Sequence, residues 1–237
     1  LHQLANCYYA VGDIEDANQY YQESLSIWKK LGNIRQQAHL EFALGTMWLD
    51  KEDYSLAAHY FDSGATSYLI IKETQCAARL LSFLALCKLA QKLDNPEDLQ
   101  LNEALKLVEP LIGTLGNEPI DGRALEALAM AYGGIGDYRR ALEYIEKSIQ
   151  LTDKINSISK QELLEHLFGR RASFALKLHY QSLAMESYQQ VVKHALQASG
   201  GHLTASILLA MDAACDLAIQ QGLPEVCENY WLDISNS

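Results

Sequence analysis

The sequence predicts an all-α fold, a solenoid of about six antiparallel helix pairs. Three observations carry that expectation: small residues recur in a fixed register, amphipathic helices follow Gly-Asp turns, and only four prolines (Pro96, Pro110, Pro119 and Pro224) interrupt 237 residues. A chain of this length is long for one compact core but ordinary for a stack of repeats that bury their apolar faces against neighbours.

The turns come first. Gly12-Asp13 opens a segment running to Tyr21, and Gly136-Asp137 opens its counterpart running to Ile145. Each reads as a turn followed by a helix with alanine and aromatic residues on one face. Glu52-Asp53 begins a third copy with Glu in the glycine place, and His179–Tyr188 and Gly222–Trp231 are weaker copies.

In these second helices the small residue falls at Ala17, Ala57, Ala104, Ala141, Ala184 and Cys227. Twelve residues earlier lie Ala5, Gly45, Ala129, Ala172 and Cys215. The third partner is Ala85, nineteen residues before Ala104, which implies a seven-residue insertion around Leu93–Asp98. First-helix small residues then step by 40, 40, 44, 43 and 43. Two helices joined by a tight turn approach closely only where both carry small side chains, because anything larger overpacks the crossing. The register divides the chain into repeats at 1–33, 34–72, 73–117, 118–157, 158–200 and 201–237, treated as one repeat domain.

At −4, −1 and +3 from each first-helix small residue, an apolar stripe should face the partner helix. It reads Leu1, Leu4, Tyr8 in the first repeat and Leu125, Leu128, Tyr132 in the fourth, with Leu44 and Trp48 in the second. Glu41, Lys88 and Arg171 break it, and those faces are expected to be more exposed or differently rotated.

The Leu/small/Tyr first helix, Gly-Asp turn and Ala/aromatic second helix resemble the tetratricopeptide repeat (TPR). The forty-odd-residue period, with Leu31-Gly32-Asn33 and Leu115-Gly116-Asn117 at repeat ends, resembles its long-repeat branch, which includes kinesin light chains, bacterial peptide-sensing regulators and sensor arms of signalling ATPases. The resemblance implies a right-handed superhelix whose first helices line a concave groove. It implies a scaffold that holds a protein or peptide, or a ligand-sensing arm of a larger regulator or enzyme whose catalytic part lies elsewhere. Leu1 is not an initiator methionine, so a longer protein is expected.

The groove stripe should sit at −6, −3, +1 and +4. Its candidates are Asn6 and Tyr9; His39, Phe42 and Thr46; Arg79, Ser82 and Leu86; Arg123, Glu126 and Met130; and His166 and Ser173. The −6 residues His39, Arg79, Arg123 and His166 form a possible basic ladder for acidic groups of an extended peptide. They equally read as solvated helix starts. Phe42, Leu49, Leu86, Leu89, Met130, Leu176 and Ile219 instead suit an amphipathic helix or apolar peptide anchors laid in a groove, and equally an inner wall covered by another part of the same protein.

His2-x-x-x-Asn6-x-x-Tyr9 is similar to the start of the carboxylate clamp of chaperone-adaptor repeats, but Ala43, Ser82 and Leu86 stand where its other polar residues belong, so the clamp is incomplete.

A net charge of −11 argues against a nucleic-acid partner. Five cysteines without a C-x-x-C pair suggest reduced thiols and a cytoplasmic setting, with Cys7, Cys87 and Cys215 expected as inert packing residues. No run is long enough to span a membrane. Glu162-x-x-Glu165-His166 lacks the second histidine of a zinc site, and no nucleophile, base and orienter assemble, so neither metal, cofactor nor catalysis is expected. Self-association through terminal repeats is a further expectation, because an uncapped repeat end leaves apolar surface bare. Asp212, Asp216 and the polar tail 233–237 make the C-terminal end the better capped one.

Overall fold

A computed structural model describes residues 1–94, 100–116, 118–157 and 159–223, together with 225 and 227. The centre of the expected insertion and most of the sixth repeat's second helix, with the polar tail, lie outside the described residues. The contacts divide the chain into two compact units, Leu1–Gly116 and Asn117–Ser237.

The first unit contains α1 (His2–Ala10), α2 (Ile14–Lys30), α3 (Ile34–Asp50), α4 (Tyr54–Ile70), α5 (Thr74–Asp94) and α6 (Gln100–Val108), followed by a 3-10 segment, Glu109–Thr114. The second contains α7 (Pro119–Gly134), α8 (Tyr138–Asp153), α9 (Lys160–Lys177), α10 (Gln181–Ala198) and α11 (Ala205–Gln220). Each unit is an all-α array of helix pairs.

The turns explain where the helices stop. The N–H two residues past the last helical residue's cap reaches back five residues, as in Asp13 to the Tyr8 carbonyl at 2.9 Å, Asp53 to Trp48 at 3.0 Å and Asp137 to Tyr132 at 3.0 Å. This closure needs a left-handed residue just before it. Gly12 (φ 86°) and Gly136 (φ 84°) supply it without strain. Asp13, Asn33, Asp53 and Asp137 then accept the N–H three residues on, capping the next helix.

Where glycine is missing, the geometry persists. Glu52, Lys72 and His179 all hold φ 60°. A left-handed L-residue costs roughly 1–2 kcal/mol, partly offset by the extra unfolded-state freedom of glycine. Each of Glu52→Gly, Lys72→Gly and His179→Gly should therefore stabilise the protein by about 0.5–1 kcal/mol, read from urea unfolding midpoints.

The predicted small positions are buried. Ala5, Ala17, Ala57, Ala85, Ala129, Ala141, Ala172 and Ala184 are all at 0% exposure, and Gly45 is buried too. Cys215 and Cys227 are only half-buried. In the first unit Ala5 and Ala17 share a core with Tyr21, Leu25, Leu40, Leu44 and Met47. An aromatic trio ties α3, α4 and α5 together, with Phe61 stacked on Phe83 at 5.4 Å and Phe42 6.0 Å from Phe83. In the second unit Leu125, Leu128 and Tyr132 are buried as the stripe requires. Leu1 and Leu4, the same positions of the first repeat, are exposed.

The three stripe-breaking residues are not on exposed or rotated faces. Glu41 is 1% exposed and takes hydrogen bonds from Gln37 (3.2 Å), Ser63 (2.8 Å) and Ser67 (3.4 Å), with Lys29 Nζ at 3.8 Å. Arg171 bridges Glu146 of α8 and Glu186 of α10 at 3.5 and 3.1 Å. Lys88 is half-buried and donates to Gln91 at 3.1 Å. Packed charges survive here because the facing helices supply polar partners.

Candidate partner-binding site

The first helices present the predicted stripe unevenly. In the first unit Asn6 is exposed and accepts from the Tyr21 hydroxyl at 2.5 Å, while Tyr9 donates to Asp50 of the next first helix. His39 is exposed, its ring 5.2 Å from that of His2. Burial, then the neighbouring His39, lower the His2 pKa below the usual imidazole value.

Phe42 and Leu86 are half-buried. Thr46 is also half-buried, its hydroxyl donating to the Phe42 carbonyl at 3.0 Å. Arg79 is half-buried. Ser82 corrects the expectation. It is 0% exposed and its hydroxyl donates to the Ala78 carbonyl at 2.7 Å, so it is closed to a partner. The residue lies where α5 packs into the first unit on several sides, as the neighbouring buried run Leu80–Ala85 shows.

In the second unit Arg123, His166 and Ser173 are exposed, and Glu126 and Met130 are half-buried. Glu126 meets Arg170 at 2.9 Å and His166 Nδ1 at 3.5 Å, linking α7 to α9. Arg170 also contacts the Met130 sulfur. Arg170 lies outside the stripe that spacing predicts, although it sits one turn beyond His166 on the same helix and pairs with the Glu126 carboxylate. Of the four −6 residues, His39 and Arg79 lie in one unit and Arg123 and His166 in the other, the last of them beside the Glu126 carboxylate.

Burial pushes the Glu126 carboxyl up, but hydrogen bonding and charge from His166 and Arg170 outweigh it and hold the group below its ordinary value of 4.5. A depressed folded pKa contributes stability above the unfolded value, which is lost as pH falls through the folded one. Acidification below about 4.5 should thus weaken the second unit, and Glu126→Gln should flatten that acid limb in a pH series of unfolding midpoints.

Recesses locate the open surface. In the second unit one of about 550 Å³ is lined by Glu165, His166, Gly169, Arg170, Ser173 and Ser206. Its His166, Gly169 and Ser173 are the −6, −3 and +1 residues of α9. Another, about 520 Å³, includes Leu209, Asp212, Asp216 and Ile219, the same stripe in α11. In the first unit a recess of about 350 Å³ instead lies among α4, α5 and α6, around His59, Asp62, Lys88 and Glu103.

Gly169 is informative. A Cβ on Gly45 would stand 2.6 Å from the Phe61 ring, one on Gly64 2.5 Å from Leu80, and one on Gly133 2.6 Å from Phe174. Those glycines make room for core packing. A Cβ on Gly169 would meet nothing within 4 Å. Glycine inside a helix costs about 0.5–1 kcal/mol relative to alanine, so packing gives no reason for it here.

Residues 1–31 and 122–154 each match the tetratricopeptide repeat family, one stretch in each unit. Each unit therefore carries a tetratricopeptide repeat. Its fold is similar to that of BtubC (BKLC) from P. vanneervenii, with a TM-score of 0.63 at 10% identity over 92% of this chain and 88% of that one. It is also similar to nearly identical TPR-like repeats from Podosopora anserina named for kinesin light chain, with a TM-score of 0.57 at 17% identity over 83% and 93% of the two chains. No curated protein sequence matches the chain.

Tetratricopeptide repeats are generally protein-interaction scaffolds, typically non-catalytic. Among the described residues no three His, Cys, Asp or Glu side chains converge as a metal set, and no helix is long and apolar enough to cross a membrane. Cys87 is buried and its thiol is pushed up to about 12 by that burial, whereas Cys7, expected in the packing, is exposed.

Proposed function

We propose that the chain is a scaffold that holds a peptide or helical segment of a protein partner on its first-helix faces, with the α9 recess taking an apolar anchor side chain. The observation that carries this reading is Gly169, a helix-interior glycine lining a recess, with nothing within 4 Å of where a Cβ would stand. A missing side chain that no neighbour needs leaves that part of the recess open. Polar groups at its rim, Glu165, Ser173 and Ser206, would orient the segment, which is how a groove combines anchoring with specificity. Arg79 in the first unit and, separately, Arg123 in the second would each receive an acidic side chain of a partner.

A library of amphipathic helical peptides selected on the full chain tests the reading. Selected binders should lose at least about tenfold in affinity to Gly169→Phe, the scale expected for filling an anchor pocket, while circular dichroism stays unchanged. Arg79→Glu should weaken peptides with acidic flanks and spare those with neutral ones. Binders indifferent to Gly169→Phe would remove the α9 recess from the proposal.

A further inference from the structure

We propose that Cys215 and Cys227 are a disulfide-exchange site, closing on each other by reaction with a small organic disulfide and so joining α11 covalently to Cys227. The two occupy the paired small-residue positions, twelve apart, at which a first and a second helix cross. Ala5 and Ala17, in those positions of the first repeat, lie in one buried core cluster. In the sixth repeat both members are cysteine.

Side chains at such a crossing approach as closely as neighbouring backbones allow, which is the separation a disulfide bridges. The Cys227 thiol donates to the Cys215 backbone carbonyl at 3.7 Å, which sets its sulfur beside the Cys215 residue. Both are free and half-buried on the wall of the recess of about 520 Å³ that opens beside Asp212 and Asp216. A reagent can therefore reach them, unlike buried Cys87.

Cys227 attacks first. Its thiolate takes one sulfur of the reagent disulfide, the reagent's other half leaves as a thiolate, and a mixed disulfide remains on Cys227. Cys215 then loses its proton to water and attacks the Cys227 sulfur. The second half of the reagent leaves, so two protein thiols are oxidised as one reagent disulfide is reduced to two thiols. Burial, the Cys227 hydrogen bond and charge, and the nearby Asp212 and Asp216 push the Cys215 thiol up to about 12. That makes it a poor first nucleophile, but once the mixed disulfide stands within contact its attack is intramolecular. The same two carboxylates favour a cationic reagent over an anionic one.

Peptide mapping by mass spectrometry after treatment of the full chain with cystamine at pH 8 tests this, with oxidised glutathione run in parallel. The expected product is a Cys215–Cys227 cross-link that retains no reagent. It should form at least about tenfold faster with cystamine than with oxidised glutathione. Cys215→Ser should instead trap a stable reagent adduct on Cys227. Persistent separate adducts on Cys215 and Cys227 in the unaltered chain would overturn the proposal. So would two unmodified thiols at a time when exposed Cys7 has already reacted.

Discussion

Gly45→Ala is expected to destabilise the first unit by about 2 kcal/mol, whereas Gly169→Ala is expected to stabilise the second by about 0.5–1 kcal/mol. The substitution is the same and both sites are inside first helices, so helix propensity favours alanine equally. The surroundings decide the sign. At Gly45 the new methyl would stand 2.6 and 2.7 Å from two atoms of the Phe61 ring. That ring is 0% exposed and stacked on Phe83, so it cannot swing away without opening the aromatic trio. At Gly169 the methyl projects into open space. Urea unfolding of the two variants should move the midpoints in opposite directions. A shared sign would mean that the close approach at Gly45 relaxes freely, or that Gly169 is held by something unseen.

The second large effect belongs to Glu41. Its removal as Glu41→Ala should cost about 3 kcal/mol. The carboxylate is the common acceptor for Gln37, Ser63 and Ser67, and Lys29 approaches from the adjacent repeat. Truncation strands two serine hydroxyls in a buried seam, since Ser67 is 6% exposed and Ser63 half-buried, and leaves a cavity in addition. The triple change Glu41→Met, Ser63→Ala and Ser67→Ala removes the two serine donors together with their acceptor while keeping volume. It should recover most of the loss, because buried polar groups are costly chiefly when unpaired. Equal destabilisation by the single and triple variants would show that neither the unpaired hydroxyls nor the cavity sets the cost.

Glu41 also marks where the sequence was opaque. A helical stripe shows which face a residue lies on, and an acidic residue on that face suggests an exposed or turned helix. The resolution lies 22 and 26 residues later, in Ser63 and Ser67 of the facing helix. One-helix periodicity carries no information about such a partner. Arg171 is the same case, with Glu146 and Glu186 on the helices either side.

The small-residue register was legible because it is a backbone constraint repeated at each crossing, and Ala5 through Ala184 are buried accordingly. The Gly-Asp turns were legible for the same reason, even at Glu52 and His179, where a strained left-handed residue replaces glycine.

The candidate site was only half visible. Spacing placed Arg123, Glu126, Met130, His166 and Ser173 on one face. It could not show that Glu126 is tied to Arg170, that Ser82 is closed off, or that the contacts divide into two units at Gly116. Gly169 emerged as the key position only from what surrounds it.

Site-specific photo-crosslinking tests the first-helix face most directly. A benzophenone side chain placed at exposed Ser173 of α9, or at exposed Lys193 of α10, is irradiated with a peptide selected on the full chain. The scaffold reading predicts a covalent peptide adduct from Ser173, lost on adding Gly169→Phe, and none from Lys193. An adduct from Lys193 with none from Ser173 would place the partner on the second helices and contradict it.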